Sequence, residues 1–369
     1  MTSPMTTSAS TQSTAAERGV TLAASVMQGS LRGGDHGLPP IEVVAAVIRR
    51  ADGAVLLSLR RPEQHQGGLW EFPGGKRAPE ESALSALSRE LEEELGMYID
   101  PARLRPLVQL THHYPDKSVQ LTVWEIFDWT GTPVGREGQE IAWVLPEALG
   151  EFAFPAANYR ILAAATLPRL YLITPEPDLA EPTAFLDALE VSLSGGIRLV
   201  QLRAKSLHLA DLLPLARAAV ALCHQHGARV LINAPASLPA ALLEDLGVDG
   251  LHLPSRLMHQ YRERPVPAGQ LLSAACHDVD DIRQASRLGV DMGLLGPVLP
   301  TPSHPGQPGL GWDVAAALGR HADFPLFALG GQGPRTVDAA LTAGFHGVAA
   351  ITALWNRREL PDARLRQDR

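Results

Sequence analysis

The sequence predicts two domains, an α+β domain followed by an α/β barrel of eight strand–helix units, and three observations carry this. The chain has 369 residues, more than one average domain holds. Its hydrophobic residues, 45% of the total, are spread over two regions with different rhythms that meet near Leu167-Pro168. From Arg169 onward, short apolar strands alternate with amphipathic helical stretches, a pattern that points to a (β/α)8 fold.

Residues 1–38 are rich in Ser, Thr, Ala and Gly without a sustained apolar run and read as a disordered leader. They do not fit a signal peptide, since the first fifteen residues carry no Lys or Arg. The first domain is expected over 39–167. Ile41–Ile48 reads as a strand, Ala51-Asp52-Gly53 as a turn and Val55–Leu59 as the return strand of a hairpin entering a sheet. A Gly74-Gly75 turn precedes a helix from about Glu80 to Leu95, stopped by Gly96. Strands follow around Leu107–His113, Val119–Trp129 and Gln139–Leu145. The barrel is expected over 168–356, with strands at Leu170–Thr174, Leu199–Arg203, Val230–Asn233, Gly250–Leu253, Leu272–Ala275, Gly293–Val298, Leu326–Leu329 and Gly347–Ile351. The junction near Leu167-Pro168 is expected to carry few contacts, so the barrel should fold alone. The tail, 357–369, is charged and reads as loose.

Charge and cysteine usage exclude several functions. Lys+Arg 32 against Asp+Glu 40 gives a net charge of -8, so no global basic field holds a nucleic-acid polymer. An anionic small substrate then requires a metal or a local cluster of cations. Cys223 and Cys276 are far apart in unrelated apolar settings, which indicates neither a disulfide framework nor a zinc site and fits a reducing cytoplasm. No run of 18 uncharged apolar residues is present, so no conventional membrane span is expected.

The densest chemical signal is Gly75, five residues, Glu81, seven residues, then Arg89-Glu90-Leu91-Glu92-Glu93-Glu94-Leu95-Gly96-Met97. On a helix, Glu90, Glu93 and Glu94 share one face at i, i+3 and i+4 and repel one another unless cations sit between them. Oxygen-only ligands at this density suit Mg²⁺, with Mn²⁺ as the alternative. Alone, Glu92-Glu93-Glu94 would be an ordinary solvated helix end. The whole spacing, hydrophobic positions included, matches the Nudix box.

The first domain therefore resembles the Nudix hydrolases, and Trp70-Glu71-Phe72-Pro73-Gly74-Gly75-Lys76 is similar to the MutT-type 8-oxo-dGTP diphosphatases among them. That resemblance implies metal ligation by the Gly74 carbonyl, Glu90, Glu93 and Glu94, joined by Glu137 from a loop. It also implies catalytic roles for these glutamates, with Glu90 or Glu137 taking the proton of the attacking water. Arg89 is expected to pair with box carboxylates. Phe154-Pro155-Ala156-Ala157-Asn158 resembles the segment whose asparagine reads the oxidised guanine, and an amide offers the donor and acceptor that a purine edge requires. A lone Asn before a helix is otherwise an N-cap. By the same resemblance Phe72, Asp116 and Lys117 belong to the base pocket and Arg61 lies near the nucleotide. Lys117 stands where the family commonly has Arg, and a point charge does not reproduce planar bidentate contacts.

The second domain resembles thiamine phosphate synthase and its TenI-like relatives. Gln201-Leu202-Arg203-Ala204-Lys205 matches the strand end that holds pyrophosphate there, and Gly296–Thr301, Gly330-Gly331 and Gly347–Ile351 match phosphate loops at later strand ends. Gln201, Arg203, Lys205, Gly330 and Gly331 are thus the candidate phosphate ligands. Three departures bear on catalysis. The family's Asn-Asp pair is Asn233-Ala234, Pro254–Met258 contains no acid, and the loop lysine is His304. Loss of the carboxylates removes protein ligands from a Mg²⁺–pyrophosphate leaving group, so synthase activity is not expected. An anion pocket remains, with His252, His277 and His304 as substitutes.

The resemblances together imply a cytoplasmic, Mg²⁺-dependent enzyme that converts 8-oxo-dGTP to 8-oxo-dGMP and pyrophosphate, cleansing the nucleotide pool and so avoiding mutation. Its partner is a small nucleotide, with a phosphorylated ligand in the barrel. The alternatives are another nucleotide, a thiamine-pathway pyrophosphate, or a sensor in which the barrel binds a phosphorylated thiamine precursor.

Overall fold

Alternate residues of the first strand, β1 (Ile41–Ile48), face two different cores, because side chains of an extended chain point to opposite sides in turn. Val44, Ala46 and Ile48 pack with Leu87, Leu91 and Leu95 of helix α1 (Ala83–Leu95). Ala45 and Val47 pack on the other side with Ile161 and Ala164 of helix α2 (Ala156–Thr166). The computed structural model behind this description covers residues 39–359 apart from Pro115, 206–207, 234–239, Ala268, 302–305 and Gln307. The leader, Ala234, His304 and the tail from 360 lie outside the described residues.

The remaining strands of the first domain are β2 (Val55–Leu59), β3 (Trp70–Glu71), β4 (Gly74–Lys76), β5 (Arg105–His113), β6 (Ser118–Ile126) and β7 (Ile141–Val144). They form two sheets, ordered β4-β1-β6-β5 and β3-β2-β7. The expected hairpin is therefore corrected: β1 and β2 meet only at the bridge Arg49↔Val55, beyond which the chain passes from one sheet to the other. The expected Gly-Gly turn is corrected too. Gly74 and Gly75 lie on β4, paired antiparallel with Ala45 and Val44. Helix α1 begins at Ala83 rather than Glu80, since Ser82 caps it by accepting from the Ser85 amide.

Eight parallel strands close the second domain in the order expected: β8 (Leu170–Ile173), β9 (Leu199–Leu202), β10 (Arg229–Asn233), β11 (Gly250–Leu253), β12 (Leu271–Cys276), β13 (Met292–Leu295), β14 (Leu326–Leu329) and β15 (Gly347–Ala350). The helices are α3 (Pro182–Ser194), α4 (Leu209–Gln225), α5 (Ala240–Leu246), α6 (Ser255–Met258), α7 (Val279–Leu288), α8 (Trp312–Gly319) and α9 (Val337–Thr342). Tyr171, Ile173, Leu199, Leu231, Met292, Leu294 and Phe327 fill the barrel interior, while Leu170, Leu172, Val200 and Leu202 point outward beneath the helices. The sixth strand stops at Leu295 instead of Val298, and Pro297 offers no amide hydrogen to continue a ladder. No helix among the described residues is long and apolar enough to cross a membrane.

The junction contradicts the expectation of few contacts. Leu167 is buried in the barrel interior cluster with Tyr171, Met292 and Phe327. Glu125 of β6, 2% exposed, pairs with Arg49 from its own domain at 3.0 Å and with Arg169 at the foot of the barrel. Arg169 also donates to the His346 carbonyl at 2.7 Å and meets His346 Nδ1 at 3.0 Å. Nε2 of that imidazole reaches the Leu167 carbonyl at 2.9 Å. Burial, with Arg169 and Arg49 beside it, holds His346 well below the usual histidine range, so the ring is neutral. The buried Arg49–Glu125–Arg169 triad thus joins side chains from both domains.

Candidate active site

Helix α1 carries the acidic box because Leu87, Leu91 and Leu95 recur at helical spacing and bury one face. The opposite side then presents the glutamates. Arg89 sits among them as expected, donating to Glu81 at 2.9 and 3.0 Å, to Glu90 at 2.9 Å and to Glu93 at 3.2 Å. Glu93 is the open member, its side chain 56% exposed. Glu90 lies against β4, where a Cβ on Gly75 would overlap its carboxylate and displace it from this place. Gly74 heads the same strand.

The loop bearing Glu137 is brought to the box by the helix end itself. The last carbonyls of a helix lack internal partners. Here Leu95 accepts from Val134 N at 3.0 Å, and Glu94 accepts from Arg136 N at 2.8 Å and Gln139 Nε2 at 3.0 Å. The Arg136 guanidinium donates to the Glu92 carbonyl at 3.0 Å, a favourable place for a cation at the helix C-terminus. Glu137 is thereby held beside Arg61, which pairs with its carboxylate at 3.1 Å.

Burial pushes the Glu94 carboxyl up to about 8, and the neighbouring charges of Glu90, Glu71 and Glu137 add to it while Arg60 opposes them. Three other carboxylates thus bear on Glu94 at one place. Arg60 and Glu71, which the sequence reading missed, form a close ion pair there. Burial raises the Glu71 carboxyl despite that pair. This donor set fits a hard divalent cation, which prefers carboxylate oxygens and relieves their repulsion. Among the described residues no three His, Cys, Asp or Glu side chains are arranged as a ready ligand cluster, and Arg89 engages Glu90 and Glu93 instead.

A pH effect follows from Glu94. In the metal-free fold it keeps its proton up to about 8, whereas an unfolded chain releases it near 4.5. Between those values the folded state binds more protons, so stability falls as pH rises through that window. The thermal midpoint in the presence of a chelator is expected to drop from about pH 5 to about pH 8, with Glu94→Gln flattening the slope. Identical slopes in parent and variant would refute the assignment.

On the other face of the sheets, Asn158 is the third residue of α2 and Pro155 holds the cap position, so Asn158 is not the N-cap. Its Oδ1 accepts from the Phe72 amide at 3.2 Å, leaving the Nδ2 donors for other partners. Phe72 is 2% exposed and stacked on Phe154 with ring centres 5.7 Å apart. Asp116 is exposed and lies 3.8 Å from Lys117, whose ammonium stands over the Tyr114 ring. Tyr114, a second residue missed from sequence, contacts His112 edge-on at 4.5 Å and hydrogen-bonds the backbone of Ala157. The structure brings Asn158, Phe72, Tyr114 and Lys117 together around the start of α2. Arg61 is drawn instead toward Glu137.

At the carboxyl ends of the barrel strands, Gln201 is buried and bonded to the Tyr171 hydroxyl at 3.3 Å and to Asn233 Nδ2 at 3.4 Å. Arg203 pairs with Glu176 at 3.4 Å, and Lys205 is exposed. Gly330 and Gly331 take positive φ of 91 and 64, and a Cβ on either would crowd Pro297 or Leu299 at 2.7 Å. Burial and nearby Lys205 depress His252 to about 3, which keeps it neutral against Ser273. His277 is engaged by Asp281, which also accepts from Ser255 at 2.6 Å and meets His259 at 2.8 Å. Burial alone would raise Asp281, but these hydrogen bonds hold it below the usual range.

A NUDIX domain profile matches residues 44–164, and a thiamine monophosphate synthase profile matches residues 170–354. The chain belongs to both families. The Nudix half is 39% identical over 124 residues to the CTP pyrophosphohydrolase of Escherichia coli, covering 34% of this chain and 90% of that one. It is also 39% identical over 122 residues to the 8-oxo-dGTP diphosphatase of Haemophilus influenzae, covering 33% and 88%. The barrel is 33% identical over 190 residues to the thiamine-phosphate synthase of Thermobifida fusca, covering 50% and 84%. The first half is therefore a Nudix hydrolase domain, joined here to a synthase-type barrel.

Proposed function

We propose that the Nudix domain, with Mg²⁺ or Mn²⁺, hydrolyses 8-oxo-dGTP to 8-oxo-dGMP and pyrophosphate in the cytoplasm, serving to cleanse the nucleotide pool. The observation that carries this is the gathering of Glu71, Glu90 and Glu137 around the buried Glu94 carboxyl, in a domain that also brings Asn158, Phe72 and Tyr114 together. The Gly74 carbonyl, Glu90, Glu93, Glu94 and Glu137 would hold the metal. A bound Mg²⁺ supplies neutralisation of phosphate charge and a more acidic water. Glu90 and Glu137 are the two carboxylates that can take the water's proton. The α–β phosphoanhydride bond breaks as the water oxygen bonds to phosphorus, and pyrophosphate leaves. Arg61 lies beside Glu137, where phosphate oxygens compete for its guanidinium. Lys117 and Asp116 border the base pocket, and Asn158 offers Nδ2 to a base carbonyl.

A second reading is another nucleotide, since the equally similar Escherichia coli relative is named for CTP. A thiamine-pathway pyrophosphate is the third substrate on the same chemistry. The barrel, in this reading, holds a phosphorylated ligand through Arg203, Lys205 and the amides of Gly330 and Gly331, with Gln201 bracing the strand end. It does not make thiamine phosphate, because Pro254–Met258 offers no carboxylate. Release of monophosphate and pyrophosphate from 8-oxo-dGTP, dGTP and CTP, set against release of thiamine phosphate and inorganic phosphate from thiamine diphosphate, under Mg²⁺ decides among them. A higher kcat/KM for CTP than for 8-oxo-dGTP would overturn the first reading.

Asn158→Ala is expected to lower the 8-oxo-dGTP over dGTP ratio of kcat/KM by about 1–3 kcal/mol, leaving the activating Mg²⁺ concentration unchanged. An unaltered ratio would reduce Asn158 to a tether for Phe72.

A further inference from the structure

Helix α2 makes contacts with both domains. Its start faces the proposed base pocket, where Asn158 accepts from Phe72 and the backbone of Ala157 meets Tyr114. Its middle faces the barrel: Arg160 donates to the Asp323 carboxylate at 2.6 Å and to the Asp323 carbonyl at 3.1 Å. The other oxygen of that carboxylate accepts from Ser286 on α7 at 2.7 Å, which fixes Asp323 in the barrel frame. The last two carbonyls of α2 and that of Leu167 are met by side chains from outside the helix. The Ala165 carbonyl accepts from Arg49, Thr166 from Arg229 of β10 at 2.7 Å, and Leu167 meets Nε2 of His346 at 2.9 Å. Cations and donors at a helix C-terminus satisfy carbonyls that the helix leaves open.

Residues 158 and 160 lie on opposite sides of a helix, about 200° apart at 3.6 residues per turn. A rotation or slide of α2 that broke the barrel contacts would therefore carry Asn158 away from Phe72. By contrast α1, with the acidic box, is held by the Nudix sheet and by the loop around Glu137, without any of these barrel contacts.

We propose that the barrel acts as the positioning frame for the nucleotide-reading helix, with Arg160 and Asp323 as the positioning pair that sets substrate affinity and base discrimination. This rests on the assignment of Asn158 to the base. The barrel then has a role in hydrolysis that needs no synthase chemistry of its own. Effects of the pair appear in KM and in selectivity, while kcat and the metal requirement, set on α1, stay near the parent's.

The test uses the full chain with Mg²⁺ and compares the parent with Asp323→Ala, Asp323→Asn, the exchange Arg160→Asp with Asp323→Arg, and Asn158→Ala. For Asp323→Ala, KM for 8-oxo-dGTP is expected to rise roughly fivefold, the scale carried by one remote side-chain pair. Preference over dGTP should fall with it, kcat and the half-activating Mg²⁺ should hold within about twofold, and the exchange should restore KM. Amide hydrogen exchange over residues 154–160 is expected to quicken in Asp323→Ala whether or not nucleotide is turned over. An unchanged KM in the Asp323 variants, together with altered selectivity in Asn158→Ala, would overturn the positioning role alone. Unchanged selectivity in Asn158→Ala would instead remove the base assignment. Equal loss in kcat and KM, or unchanged exchange over 154–160, would also overturn the positioning role.

Discussion

Glu93→Gln is expected to lower Mg²⁺-dependent hydrolysis by at least about 100-fold, since even groups that only orient a metal ligand cost 10–100-fold when changed. The fold should hardly notice. Glu93 is 56% exposed and contacts Arg89 alone among the described residues, while Arg89 keeps Glu81 and Glu90. Exposed pairs of this kind contribute little to stability, and Gln serves a helix as well as Glu does. Loss of activity without a shift in thermal midpoint therefore reports a missing metal ligand. Glu92→Gln is the matching control, because Glu92 is exposed one position away and off the shared face. Turnover near the parent's at saturating Mg²⁺ in Glu93→Gln would remove the box from the chemistry.

The parts of the molecule legible in sequence are those fixed by short-range periodicity. The strand at Ile41–Ile48, the i, i+3, i+4 spacing on α1 and the repeating strand–helix pattern of the barrel each depend on neighbours within a few tens of residues, and all three stand in the structure. The barrel has eight strands and, among the described residues, a helix after each of the first seven. What failed was pairing at long range. Arg60 and Arg61 are neighbours, and nothing local says which one reaches the acidic cluster. The register of β2 against β3, Leu59 opposite Trp70, leaves Arg60 near Glu71 and sends Arg61 to Glu137. The Gly74-Gly75 pair looks like a turn, yet close approach to Glu90 and pairing with β1 make it a strand. Tyr114 carries no motif, and its place depends on how α2 docks. The junction was misread for the same reason. Glu125, set between Trp124 and Ile126 in an apolar strand, was the available sign of a buried charge with distant partners. Those partners lie 76 and 44 residues away, one before it and one beyond the domain boundary.

Glu125→Ala is expected to destabilise the chain by about 3–5 kcal/mol, the scale seen when one member of a buried ion pair is removed. The cost arises from what remains. Arg49 and Arg169, 12% and 13% exposed, would keep two positive charges in a site with little water and without the carboxylate that faces both. Arg169 also stands beside His346, whose neutrality already reflects the unfavourable charge of both arginines. The imidazole cannot relieve them by deprotonating, since it is neutral already. Equilibrium unfolding in urea separates this from a packing effect: replacing all three together, Arg49→Met, Glu125→Leu and Arg169→Met, removes the charges and fills similar volume. That triple variant should recover most of the loss, because a buried triad exchanged for apolar residues is often neutral or stabilising. A single variant within about 1 kcal/mol of the parent, the range of exposed ion pairs, would show that water reaches the junction and that the triad does not bind the domains.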